Sequence, residues 1–191
     1  APVDKIPLIT MGYGRSESRN GGVFHWNFPI YGTYWTAADV LVTHLGNING
    51  GLDNLKGKKI ALVYHDSPFG KEPIPLLKKR ASMHDFELLT IPVTHPGVEQ
   101  KSAWIQIRKE KPDYVLLWGW GVMNSTAIKE ATGVRYPRDQ IYGIWWAGAE
   151  PDVRPAAADA VGYQAVSMIS SGQAPVHKDI LSYIYDNDLG A

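Results

Sequence analysis

Four short apolar runs recur along the middle of the chain about 27 residues apart, close to the length of one strand–helix unit. They are Lys58–Tyr64, Phe86–Val93, Asp113–Trp118 and Gln140–Trp146. Each is rich in β-branched and aromatic residues, as a strand buried on both faces requires. The stretches between them, Glu72–His84, Glu99–Lys109 and Met123–Thr132, read as helices. In the second, Trp104, Ile105 and Ile107 share a face while Glu99, Lys101 and Lys109 meet solvent. A fifth strand is expected over Gly162–Ile169. Strictly alternating strands and helices predict an α/β fold, a three-layer sandwich with a mainly parallel sheet.

The first fifty residues lack this period. Ile6–Thr10 reads as a short strand that ends in the small-residue loop Met11–Ser16, and Val23–Ile30 as an extended segment. Thr33–Leu45 reads as a helix with Ala37, Val40, Leu41 and His44 on one face, and Asn47–Gly57 is turn chemistry throughout. At the other end, Val176–Tyr185 is a short amphipathic helix.

Composition removes several function classes. With 19 basic and 19 acidic residues the formal net charge is zero, so the basic footprint of a nucleic-acid binder is missing. The chain has no cysteine, which excludes disulfide scaffolds, thiolate metal sites and thiol nucleophiles. No apolar run approaches the ~20 residues that cross a bilayer. Ala1–Asp4 lacks the charged and apolar parts of an export signal, so any such signal is expected to have been removed.

Motifs for chemistry are equally thin. Gly51–Lys59 has the wrong spacing for a phosphate loop and no hydroxyl after the lysine. Gly119–Asn124 and Gly12–Glu17 lack the third glycine of a dinucleotide fingerprint. The six His residues form no metal-binding pair at helical spacing. His65 and Asp66 are adjacent, face apart, and are expected to cap the following turn or helix. Asn124-Ser125-Thr126 matches a glycosylation acceptor, but its place at a helix start favours capping.

The remaining signal is positional, because ligands bind beyond the carboxyl ends of the strands in open α/β sheets. Those ends read Tyr64–Phe69, Thr94–Gly97, Trp118–Gly121 and Trp145–Glu150. Three of the four set aromatic rings beside small residues, which give stacking area and close backbone approach. Seven Trp and ten Tyr exceed what the core alone would use. Since adjacent strand residues face opposite ways, Trp120 and one of Trp145 and Trp146 are the pocket candidates.

The stretch Lys58–Gly70, with Ala-Leu-Val-Tyr-His-Asp-Ser-Pro-Phe-Gly, resembles the first strand and turn of the second lobe in type I periplasmic solute-binding proteins of ABC transporters. Within these it resembles the branched-chain amino acid (Leu/Ile/Val-binding) family. Pro112–Val115 before a Gly-aromatic turn, Gly143–Glu150 followed by Gly162-Tyr163, and Ile6–Thr10 before its loop fit the same group. The resemblance implies a Rossmann-like lobe, half of a two-lobed clamp roughly twice this long. Residues 1–30 would be the tail of the first lobe and a crossover strand, 31–175 the second α/β lobe, and 176–191 a helix returning toward the first lobe.

By the same resemblance the ligand's carboxylate would meet the loop of Tyr13, Gly14 and Arg15, with Arg15 pairing to it. Phe69 and Trp120 would supply rings. The family's ammonium-binding acid would fall near Trp145, where there is none, and Glu150 is close without aligning. A flat or apolar organic acid is therefore expected over an ordinary α-amino acid. The implied function is that of the solute-binding component of an ABC importer, in the periplasm. It would bind a small-molecule solute without changing it, use no cofactor or metal, engage a membrane permease, and have a possible dimer contact through the truncated surface. The alternatives are a sensor ectodomain or regulator of the same fold and, behind it, an α/β enzyme.

Overall fold

The computed structural model describes residues 3–168 and 175–186. A two-stranded parallel sheet comes first, pairing β1 (Leu8–Thr10) with β2 (Asn27–Pro29). Helix α1 (Tyr34–Ile48) follows, its first turn capped by Thr33, whose hydroxyl accepts from the Thr36 amide at 3.3 Å. The repeating units are β3 (Lys59–His65), α2 (Pro68–Lys71), α3 (Ile74–His84), β4 (Glu87–Val93), α4 (Lys101–Glu110), β5 (Tyr114–Trp118), α5 (Val122–Gly133), β6 (Ile141–Gly143), α6 (Glu150–Val153), β7 (Gln164–Ala165) and α7 (Pro175–Asp186).

Strands β3 to β7 form one sheet in the order β4-β3-β5-β6-β7, parallel at every pairing. The α/β expectation is met. The order is that of a doubly wound sheet whose direction of growth reverses beside its first strand. Right-handed crossovers then put α3 over one face and α4 and α5 over the other. Helix α1 lies on the face of Trp118 and Tyr142, since Tyr34 meets Trp118 at 6.2 Å and His44 meets Tyr142 at 5.3 Å. The strands supply a dry middle layer in which Ile60, Leu62, Leu116 and Trp118 are fully buried. Truncating a ring such as Trp118 to Ala would cost about 3–5 kcal/mol.

Several boundaries differ from expectation. The run Gln140–Trp146 is a strand only over Ile141–Gly143, and Trp145–Gly148 is a 3-10 turn closed by the Ala147 amide on the Ile144 carbonyl at 2.7 Å. Gly143 permits it, because a Cβ there would lie 2.0 Å from the Tyr163 hydroxyl and 2.8 Å from the Ala147 methyl. The helix expected over Glu72–His84 starts at Ile74, after Pro73, and the short α2 lies ahead of it over Pro68–Lys71. Helix α1 extends past Leu45 to Ile48, and Leu52–Leu55 adds a 3-10 turn inside the expected loop. Ile105 and Val40, expected on buried faces, are exposed; α4 buries Ala103, Trp104 and Ile107, and α1 buries Ala38, Val42 and Leu45 beside Ala37 and Leu41. The last residue of the expected fifth strand, Ile169, lies outside the described residues, and so do 187–191. Among the described residues no helix is long and apolar enough to cross a membrane.

Candidate functional site

The carboxyl ends of the five strands make a rim, and the loop after β1 packs on it. Gly14 sets that approach. Its carbonyl accepts from the Tyr34 amide at 2.7 Å, and a Cβ on it would lie 2.1 Å from the Gly32 carbonyl oxygen. Only glycine permits two chain segments to cross this closely. The loop thereby reaches β6's turn, where the Trp145 indole donates to the Gly12 carbonyl at 3.1 Å. Trp146 donates to the Tyr34 hydroxyl at 3.2 Å, and its ring lies 5.2 Å from that of Tyr13.

Tyr34 is the hub of this contact and was not marked by the sequence. It is 1% exposed, stacks on Trp145 at 5.3 Å and 20°, and meets Phe69 edge-on at 5.1 Å. Burial raises its phenol pKa, with the hydrogen bond from Trp146 acting in the opposite direction. The first residue of a helix looks like any other apolar position in a periodic pattern, so nothing local distinguished it.

The expected site residues fall into three groups. Tyr13 and Trp120 are exposed rings on the rim, and Trp145 and Trp146 are half-buried there. Both indoles turn toward the β1 loop, because they sit in a turn where strand alternation no longer applies, so alternation does not separate the two. Phe69 is half-buried between Tyr34 and Trp118. Gly14, by contrast, is buried beneath the crossing segment, with its carbonyl taken by the Tyr34 amide.

Arg15 is already engaged. Its guanidinium bonds both oxygens of Glu17, at 3.1 and 2.5 Å, and lies 3.3 Å from Glu72. Arg15 holds the Glu17 carboxyl down to about 2. A cation with two carboxylate partners has little charge left for a third. Glu150 opens α6 with its side chain in solvent, 3.8 Å from Arg154. It reaches the mouth of an open cavity of about 1120 Å³ that Met11, Gly12, Trp146, Tyr163 and His177 also line.

Three further positions were read differently. Neither His65 nor Asp66 caps a helix: Ser67 caps α2, accepting from the Gly70 amide at 3.3 Å, while Asp66 pairs with Lys71 at 2.6 Å. The His65 ring bonds His95, Nε2 to Nδ1 at 3.1 Å, and both imidazoles flank Trp120, at 5.7 and 6.2 Å. Asn124 lies within α5 and is fully buried, which removes it as a glycosylation site. Its amide donates to the Trp146 carbonyl at 3.0 Å and to Asp152 at 3.2 Å, and the same Asp152 oxygen accepts from the Gly121 amide at 2.7 Å. Asn124 thus couples the Trp120 loop to the Trp146 turn.

The rim is therefore continuous: His95 after β4, His65 at the end of β3 and Phe69 beyond it, Trp120 after β5, Trp145 and Trp146 after β6. The cavity borders its Trp146 end and does not extend to Trp120, because the Tyr34–Phe69–Trp118–Trp145 cluster fills the middle. A family model described as periplasmic binding protein matches residues 1–180. The chain belongs to the periplasmic binding protein family. Its fold agrees with a structure from the Pseudomonas fluorescens group described as an ABC transporter permease, at 46% identity and a TM-score of 0.91, covering 98% of this chain and 45% of that one. A branched-chain amino acid ABC transporter protein from Thermus thermophilus with bound valine shares the fold at 18% identity and a TM-score of 0.77, covering 96% and 47%. A solute binding protein from R. palustris in complex with benzoate does so at 19% and 0.73, covering 96% and 50%. The chain thus spans about half the length of these structures. No curated protein matches it. Among the described residues no group of three or more His, Cys, Asp or Glu is placed to hold a metal ion.

Proposed function

We propose that this chain supplies most of one lobe of a periplasmic solute-binding protein, with residues 1–30 belonging to the partner lobe and 31–175 forming this one. The observation that carries the reading is the seam of aromatic contacts between the β1 loop and the strand-end rim. Trp145 and Trp146 reach across it, and Tyr13 and Trp120 remain open on it. A clamp that grips a small solute needs rings at such a seam; an enzyme needs in addition a base and a reacting group in mutual reach. The solute would pass unchanged to the permease of an ABC importer.

The rim favours a flat or apolar organic acid. Indole faces supply stacking area with few rotors to immobilise. Of the acids near Trp145 and Trp146, Asp152 is taken up by the Asn124 and Gly121 amides and Glu150, on the cavity wall, is largely in solvent beside Arg154, which leaves neither well placed to take an ammonium group. The relatives whose names carry valine and benzoate mark the two classes to compare. Calorimetric titration of the full-length protein with benzoate and with valine tests this. Benzoate binding with quenching of indole emission is expected. Binding of valine alone would reject the aromatic-acid reading, and binding of neither would leave a small-acid clamp unsupported.

A further inference from the structure

In a sheet of this order the crevice opens where growth reverses, between β3 and β5. His65 ends the first of these strands and Trp120 follows the second, while His95 follows the edge strand β4. His65 is 5% exposed, and its Nδ1 is buried with no hydrogen-bond partner among the described residues. His95 is exposed. Its loop is fixed from below by Gln100, 1% exposed, whose amide donates to the Gly97 carbonyl at 2.6 Å and the Met123 carbonyl at 2.8 Å. Gly97 packs against Met123 so closely that a Cβ would lie 2.5 Å from the Met123 Cβ. The pair is therefore built into the sheet and not a chance meeting of surface side chains.

A single hydrogen lies in the His65–His95 bond, and its owner sets the rest of both rings. If His95 donated from Nδ1, the neutral His65 would carry its own hydrogen on the buried Nδ1, an N–H without an acceptor. If His65 donates from Nε2, its Nδ1 is a bare lone pair, and unpartnered buried acceptors are tolerated better than unpartnered donors. The second arrangement also leaves both rings in the Nε2–H form, the more stable neutral imidazole tautomer. His95 must then accept at Nδ1 and carry its hydrogen on Nε2, on the solvent side of the pair.

We propose that His95 is a further ligand-contacting residue of the rim, held by His65 in the Nε2–H tautomer so that a neutral N–H donor stands beside the Trp120 indole. It rests on the binding reading above and deepens it. With Arg15 tied to Glu17 and Glu72, this donor recognises the oxygen of a ligand whose flat part lies on Trp120. His65 is a positioning residue. His65 resists a further proton, because its free site is the buried Nδ1. Asp66 faces His65 from the following turn but is paired with Lys71.

Long-range 1H–15N spectra of the imidazoles in the full-length, ligand-stripped protein at neutral pH decide the tautomer. Expected are a bare Nδ1 and a protonated Nε2 on both His65 and His95. A protonated Nδ1 on His95 overturns the proposal without any variant. In His65→Leu the His95 shifts should move toward the tautomer average, and His65→Gln, which restores an N–H donor, should return them. An unchanged His95 pattern in a folded His65→Leu protein also overturns it. Benzoate at saturation should move the His95 Nε2 resonance, and His95→Phe should weaken benzoate about tenfold, the size of one hydrogen bond to a charged acceptor. Undiminished benzoate affinity in His95→Phe removes His95 from the site. If benzoate does not bind the wild-type protein at all, the earlier choice of ligand fails, and the 15N pattern still decides the His65–His95 assignment.

Discussion

Tyr34 concentrates in one side chain the interactions that join the β1 loop to the sheet. Replacing it by Phe keeps the stack on Trp145 and the edge contact to Phe69, but leaves the Trp146 N–H without its acceptor. The expected loss is about 1 kcal/mol, read as a lower urea midpoint. Tyr34→Ala empties a fully buried site and should lose about 3–5 kcal/mol. If the two variants were equally stable, ring packing would not be what Tyr34 contributes. His65 sets a second test. Burial first, then the charge of His95, lowers its pKa from 6.5, against the pull of Asp66. The folded state therefore takes up this proton less readily than the unfolded chain. Its contribution is whole above pH 6.5 and declines as acid approaches the lower folded value. Urea midpoints should be level from about pH 8 to 7 and fall below 6.5, with a shallower fall in His65→Gln. The Glu17 carboxyl, held at about 2 from an ordinary 4.5, acts in a separate window below 4.5.

At the scale of elements, Gly14 decides whether the β1 loop can seat. A methyl at this position would meet the Gly32 carbonyl and the Thr33 Cα, so Gly14→Ala should push the loop off the segment it crosses. The Trp145 bond to Gly12 would then break, and indole emission should shift to the red in a protein whose sheet still melts cooperatively. An unchanged spectrum would show that the seam does not depend on this crossing. The strands were largely legible because their apolar runs are continuous and one βα unit apart, a pattern few other folds share. The end of β6 was not, because Tyr142, Ile144, Trp145 and Trp146 carry strand propensity whereas the turn is imposed by Gly143, Ala147 and the Tyr163 hydroxyl some twenty residues on. Trp120 lies on the rim, where its place at a strand end put it. The His65–His95 bond was not legible because the two residues lie 30 apart, and the Asn124 bridge was not because a buried amide leaves the same local pattern as a helix cap. What the sequence hid was pairing over distance, and that is what fixes the geometry of the rim.

Across the whole molecule the two sheets differ in how well they are covered. The five-stranded sheet is enclosed by helices, whereas β1 and β2 leave Leu8, Ile9 and Phe28 each at least half exposed, with Ile6, Met11 and Ile30 exposed beside them. So many apolar side chains on one short ribbon form a patch that a soluble chain does not normally leave open. The related structures are about twice as long as this chain. On its own, the 191-residue chain should pair through this ribbon with a second copy. Sedimentation of the isolated chain should show a monomer giving way to a dimer as concentration rises. Leu8→Lys with Phe28→Lys should restore the monomer, since a charge on each strand opposes edge and face pairing alike. The five-stranded sheet should melt unchanged in that double variant, because neither residue belongs to its core cluster. A chain that stayed monomeric at every concentration would mean that the ribbon folds its apolar side chains inward when alone. The seam with Trp145 and Trp146 would then have to rearrange as well, which the indole emission of the isolated chain would report.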